Sequence, residues 1–216
     1  HYPLRRQRQM CIRDSSNSPN VTSLDKTGVG KWILSGANTY TGTTTVSSGK
    51  LVLRSNLQSA NVAVGAATIA PEGVLALAGN LSLAASSVFQ LRVMPTQSDR
   101  LTLAGTVALA GTLDLVVSSG MTGGNSFVII NKTSAGAITG TFAGLPEGAT
   151  FAAGGQNWQI SYVGGDGNDV VLTLNPGVPQ GFEARRSQVL EALRGMPYVP
   201  GYVSPSTGFR RPQSYA

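Results

Sequence analysis

Residues 30–53 read GKWILSGANTYTGTTTVSSGKLVL, and the order of residue types in this stretch decides the fold. Trp32-Ile33-Leu34, Thr43–Val46 and Leu51-Val52-Leu53 are short runs of aromatic, β-branched and aliphatic residues, separated by Gly, Asn and Ser. Such side chains fit a pleated, half-buried surface, while the small polar residues between them mark turns. No run is long enough for a helical period. The same texture extends through residues 27–117, in Val74–Leu77, Leu81–Leu83, Val88–Val93, Leu101–Leu103, Val107–Leu109 and Leu113–Val117. Leu75 alternates with Leu77, Leu81 with Leu83 and Leu101 with Leu103, which is the two-residue period of a strand with one buried face.

One five-residue unit, G-x-[LV]-x-L, recurs at Gly49–Leu53, Gly73–Leu77, Gly79–Leu83, Gly105–Leu109 and Gly111–Leu115. It combines a corner glycine with two side chains on one face. A parallel β-helix needs such a recurrence, because each coil buries its inward face only against its neighbours. An antiparallel sandwich of hairpins also uses short strands with Gly turns. The pattern favours the stacked coils and leaves both architectures open.

Residue identity adds to the pattern. Trp32, Leu34, the run Ser35-Gly36-Ala37-Asn38-Thr39-Tyr40-Thr41-Gly42, Thr44-Thr45-Val46, Gly49 and Leu51 together resemble the repeat of autotransporter-associated β-strand proteins, the passenger-associated transport repeat. One full copy is present, and residues 60–117 are similar to the degenerate rungs that follow it in such proteins. The resemblance implies an all-β chain, a right-handed parallel β-helix followed by a hairpin-rich C-terminal cap. It also implies an exported bacterial surface protein that meets the outer-membrane translocation machinery in its full-length form. Within the motif, Asn38 and Gly42 are expected at corners with positive φ.

Five segments follow from this reading: residues 1–15, a lead-in at 16–26, β-solenoid repeats at 27–117, a β cap at 118–175 and a basic, Pro-rich tail at 176–216. The cap segment changes character, with a continuous apolar run at Phe127–Ile130, then Leu145-Pro146-Glu147-Gly148, and Ile160-Ser161-Tyr162 leading to Val170–Leu174. An open solenoid end would present unpaired backbone groups, so a different terminal fold is needed to close it. In the tail, Phe182, Val189, Leu190 and Leu193 fall near one helical face, so a short amphipathic helix is expected over 182–194.

The chain carries a formal charge of +6, which by itself would suggest an anionic partner. The charges sit at the ends. Between residues 16 and 175 seven Lys and Arg face seven Asp and Glu, and the excess lies in five C-terminal arginines and in Arg5, Arg6, Arg8 and Arg13. Moreover, Arg5–Ser15, RRQRQMCIRDS, resembles a sequencing-library adapter translated in frame. With it go the single Cys, Cys11, and with the preceding residues the single His, His1. The natural frame is expected to begin upstream of Ser16. No nucleic-acid partner is expected, and no apolar run reaches the ~18 residues of a membrane helix.

Little catalytic equipment remains. Without His or Cys in the β-rich part there is no base for a serine or cysteine nucleophile and no zinc set. A glycan-cleaving β-helix needs clustered carboxylates, whereas Asp99 and Asp114 stand apart in sequence and are expected to be solvated or turn-forming. Neither a catalytic residue nor a cofactor is expected. Gly164-Gly165-Asp166-Gly167-Asn168-Asp169 satisfies a calcium-binding β-roll nonapeptide, with Asp166 and Asp169 as ligands, but no second copy follows and a hairpin turn explains its glycines equally well. Three functions are weighed: a structural stalk or adhesin, a carbohydrate-binding module stacking sugars on Tyr40, Trp158 or Tyr162, and a polysaccharide-cleaving enzyme. Partners on the first two readings are extracellular glycans or host and cell-surface components.

Overall fold

A computed structural model describes residues 22–175. The expectations for residues 1–15 and for 176–216, the adapter-like segment and the tail with its short helix, fall outside the described residues. So does most of the lead-in.

The chain winds into about five stacked coils, each with three faces. The first coil comprises β1 (Leu24–Lys26), β2 (Lys31–Leu34) and the bridge residue Asn38. The second and third are each dominated by a bent strand that covers two faces without interruption: β3 (Thr43–Leu53) and β4 (Asn61–Pro71), the latter followed by β5 (Val74–Leu77). The fourth contains β6 (Asn80–Leu83), β7 (Val88–Met94), the short β8 (Gln97–Ser98) and β9 (Arg100–Leu103). The fifth contains β10 (Val107–Leu109), β11 (Thr112–Val117) and β12 (Ser126–Lys132). A two-residue strand, β13 (Thr139–Gly140), then adds to β10.

Register runs true through the stack, and every coil-to-coil ladder is parallel. On the first face Leu24 lies over Thr44, Thr44 over Val62, Val62 over Leu81 and Leu81 over Val107. On the second, Trp32, Leu51, Ile69, Phe89 and Leu113 align; on the third, Asn38, Leu57, Leu77 and Leu103 align. The antiparallel sandwich is thereby excluded for the coils. Alternation places the aligned residues inward, and Val62, Leu81, Val107, Leu51, Ile69, Phe89, Leu77 and Leu103 are all buried in one core. Each such side chain contributes about 1.5–3 kcal/mol of burial, realised only when the neighbouring coil is in place.

Two glycines of the opening stretch show why the corners are specific. Gly49 holds φ +72°, and a Cβ there would stand 2.5 Å from the Gly30 carbonyl oxygen. Gly42 does not adopt the positive φ expected of it; it is required because a Cβ would meet the Thr22 carbonyl oxygen at 2.3 Å, where the Gly42 N–H donates to that oxygen. Asn38 also keeps negative φ. Its amide instead donates to the Gly36 carbonyl and to the Ser55 hydroxyl of the next coil, at 3.2 and 2.7 Å.

The C-terminal closure is antiparallel, as expected of a hairpin-rich cap. The strands β14 (Thr150–Ala153), β15 (Gln156–Gly164) and β16 (Asp169–Asn175) form two successive hairpins. β16 docks antiparallel on β12, whose other edge is parallel to β9. One strand therefore ends the solenoid and begins the cap.

Candidate functional site

The three aromatic residues proposed to stack on sugars do not reach solvent. Tyr40 is 3 % exposed, Trp158 0 % and Tyr162 6 %. The reason is local. Trp158, Ile160 and Tyr162 alternate along β15 toward the core, where Trp158 packs tilted against Phe127 and Tyr162 against Phe142. The indole N–H donates to the Ala153 carbonyl at 3.1 Å. The Tyr162 hydroxyl accepts the Phe142 N–H and donates to the Leu145 carbonyl, at 2.9 and 2.7 Å, pinning the loop that precedes β14. Burial, which outweighs the Phe142 bond, pushes this phenol up to about 12, with the nearby Glu147 charge adding to the rise. Tyr40 belongs to a buried chain in which its hydroxyl meets the Thr44 hydroxyl at 2.9 Å and Thr44 donates to Ser59. Burial raises its pKa also, against the Thr44 bond. These rings are core members, and the stacking role proposed for them is corrected.

The Gly164–Asp169 motif forms the turn between β15 and β16. Asp169 is buried and directs Oδ1 to the Lys132 N–H at 2.9 Å, while the Asn168 amide donates to the Ser134 carbonyl at 2.7 Å. Asp166 is exposed at the tip of the turn. The motif's acids are thus separated in role: one ties the cap to the last coil, the other faces water. Among the described residues no three His, Cys, Asp or Glu side chains gather to hold a metal.

Asp99 is not solvated. It is 1 % exposed at the corner between the second and third faces. Oδ1 accepts the Gly73 N–H and Arg92 Nη2, at 2.6 and 3.2 Å; Oδ2 accepts the Arg92 N–H and Nε, at 2.8 and 3.0 Å. A carboxylate so engaged has no lone pair facing a substrate. Asp114 does point outward, as the alternation predicts, and accepts the Gln90 amide at 2.6 Å. Glu72 pairs with Arg54 at 2.6 Å, and Glu147 accepts the Tyr162 N–H at 2.6 Å.

Two residues that sequence reasoning passed over are buried lysines. Lys26 is fully buried, its ammonium donating to the carbonyls of Thr27, Gly28 and Ser48 at 3.3, 2.6 and 2.8 Å, with the Trp32 ring 5.4 Å away. Burial lowers its pKa. Lys132 donates to the Ser134 and Ala135 carbonyls, both at 2.7 Å, and to the Ser134 hydroxyl. Each ammonium closes a corner by satisfying carbonyls that the turning backbone leaves unpaired. The signal for Lys26 was its place two residues after Leu24, on the inward side of a strand.

Lys26, Asp99 and the Arg54–Glu72 pair tie one coil to the next, while Tyr162 and Glu147 tie the cap to itself. No curated protein matches the chain. The family model of the passenger-associated-transport-repeat matches residues 24–53, which are the first coil and β3 of the second. Residues 24–53 thus match a passenger-associated transport repeat, carried in a β-solenoid that is consistent with an autotransporter passenger repeat.

Proposed function

We propose that the chain is a non-catalytic structural segment of an exported surface protein, a stiff stalk that spaces or presents other parts of the molecule outside the cell. The observation that carries this reading is the internal use of the polar groups, above all Asp99, around an uninterrupted parallel stack closed by a cap. Each coil adds about 4.8 Å of hydrogen-bonded height. In the full-length protein the partner during export is the outer-membrane translocation machinery, in keeping with the repeat at residues 24–53.

The test is a turnover assay joined to unfolding kinetics. Reducing-end release from pectate, xylan and chitin should stay at the background level, while unfolding in denaturant should be slow and the β core should resist protease. Release of reducing ends that Asp99→Asn abolishes would overturn the structural reading in favour of an enzyme.

A further inference from the structure

The corner between the second and third faces is tight in the first three coils and expanded in the last two. In the third coil Glu72 and Gly73 alone join β4 to β5. In the fourth coil the chain makes the β7–β8 hairpin before entering β9, and in the fifth it runs through residues 118–125 before β12. The two expansions lie in successive coils and touch. The Asn125 amide donates to the Pro95 carbonyl at 3.0 Å. Between them is an open groove of about 540 Å³ lined by Pro95, Thr96, Gly120, Thr122, Asn125, Ser126 and Phe127. We propose that this groove binds a short stretch of uncharged glycan.

Expansions at one corner of a repeat stack commonly form its binding face, because the rigid coils hold them in position. Here the backbone is fixed from both sides. Gly124 donates to the Leu174 carbonyl at 2.9 Å, Leu174 donates back to the Asn125 carbonyl at 2.8 Å, and the Ser126 hydroxyl meets that of Thr173 at 3.0 Å. The site thus needs little ordering on binding. Its chemistry selects the ligand class. No lining side chain is ionisable, so a phosphate, uronate or ammonium group finds no counter-charge. Thr96, Thr122 and Ser126 are exposed hydroxyls that can both donate and accept, as sugar hydroxyls do. Pro95 offers apolar surface to the C–H face of a pyranose, whereas the Phe127 ring is buried against Trp158. The open, shallow form suits a chain lying across the surface rather than an enclosed small molecule.

This inference is independent of the stalk reading: a groove that binds nothing leaves the turnover and unfolding tests unchanged. The experiment titrates the ¹⁵N-labelled full chain with neutral trisaccharides of glucose, galactose, mannose and N-acetylglucosamine, and with trigalacturonate. The expected result is saturable shifts of the Thr96, Gly120, Thr122 and Asn125 amides by at least one neutral sugar, with a Kd of about millimolar order. Thr96→Ala and Thr122→Ala should each weaken that binding about fivefold while leaving the rest of the spectrum in place. Silence of these amides toward all the neutral sugars, shifts confined to another face, or equal binding of trigalacturonate would each overturn the proposal.

Discussion

At the scale of the residue, Tyr162 shows how a polar atom can be indispensable without being functional. Its hydroxyl serves two backbone groups in a place where water does not reach. Tyr162→Phe should therefore cost about 1–3 kcal/mol, read as a lower urea midpoint at unchanged slope. The phenol's pKa is raised from 10 to about 12, so the folded state keeps its proton while the unfolded state loses it. The sign follows directly: its stabilising share is complete below pH 10 and disappears as pH climbs toward 12. Tyr162→Phe should flatten that alkaline loss, and a pH series of urea midpoints decides it. Gly49→Ala meets both a positive φ and a 2.5 Å approach to a carbonyl oxygen, and should cost at least about 3 kcal/mol by the same measurement. The Gly-rich corners were legible because glycine announces itself. Lys26 was not, since a lysine reads as solvent-facing unless the carbonyls around it are known.

At the scale of the element, β12 is the decisive strand. It accepts β9 in parallel on one edge and β16 in antiparallel on the other, so the cap covers the outer row of backbone groups on the third face. Leu172→Asp places a charge in the buried middle of β16 and should release the cap. Concentration-dependent association through the freed β12 edge is the expected outcome, followed by light scattering. In the stack, Leu81→Ala removes a side chain of the fourth coil packed between Val62 of the third and Val107 of the fifth, and should cost about 2–5 kcal/mol in denaturant unfolding. The G-x-[LV]-x-L unit was read as a corner followed by two apolar positions, without the face to which each copy belongs. In the structure it supplies the second face at Leu51 and Leu53, the third at Leu75 and Leu77, and the first at Leu81 and Leu83. Three faces with the same physical demand accept the same five residues. β4 was overlooked altogether, because Ala-rich NVAVGAATIAP offers few large side chains even though Val62, Val64 and Ile69 alternate inward.

At the scale of the molecule, the division of charge carries a prediction. The described residues hold equal numbers of acidic and basic side chains, and Arg54 and Arg92 are spent on Glu72 and Asp99. Residues 22–175 alone should pass through a heparin column at moderate salt, whereas the full chain should be retained by its terminal arginines. Retention of the shorter chain would show an anionic-binding face that the pairing denies. Fold class could be read from the sequence because stacking demands repetition, and repetition is visible. The fate of the aromatic and acidic side chains could not, because whether Trp158 faces a sugar or a core depends on which side of β15 the cap encloses.

The junction at β12 has a consequence for length. The cap pairs with the final coil alone through β12, and the strand ladders join each coil only to the one before and after it, so the backbone pairing at the C-terminal end does not record how many coils precede. The molecule behaves as a stem whose tip is finished once and whose internodes can be added below. A second copy of residues 43–60, spliced in after Ala60, would present the same register to both neighbours. Evolution could thus change the reach of such a protein by duplicating a coil, without redesigning how it ends.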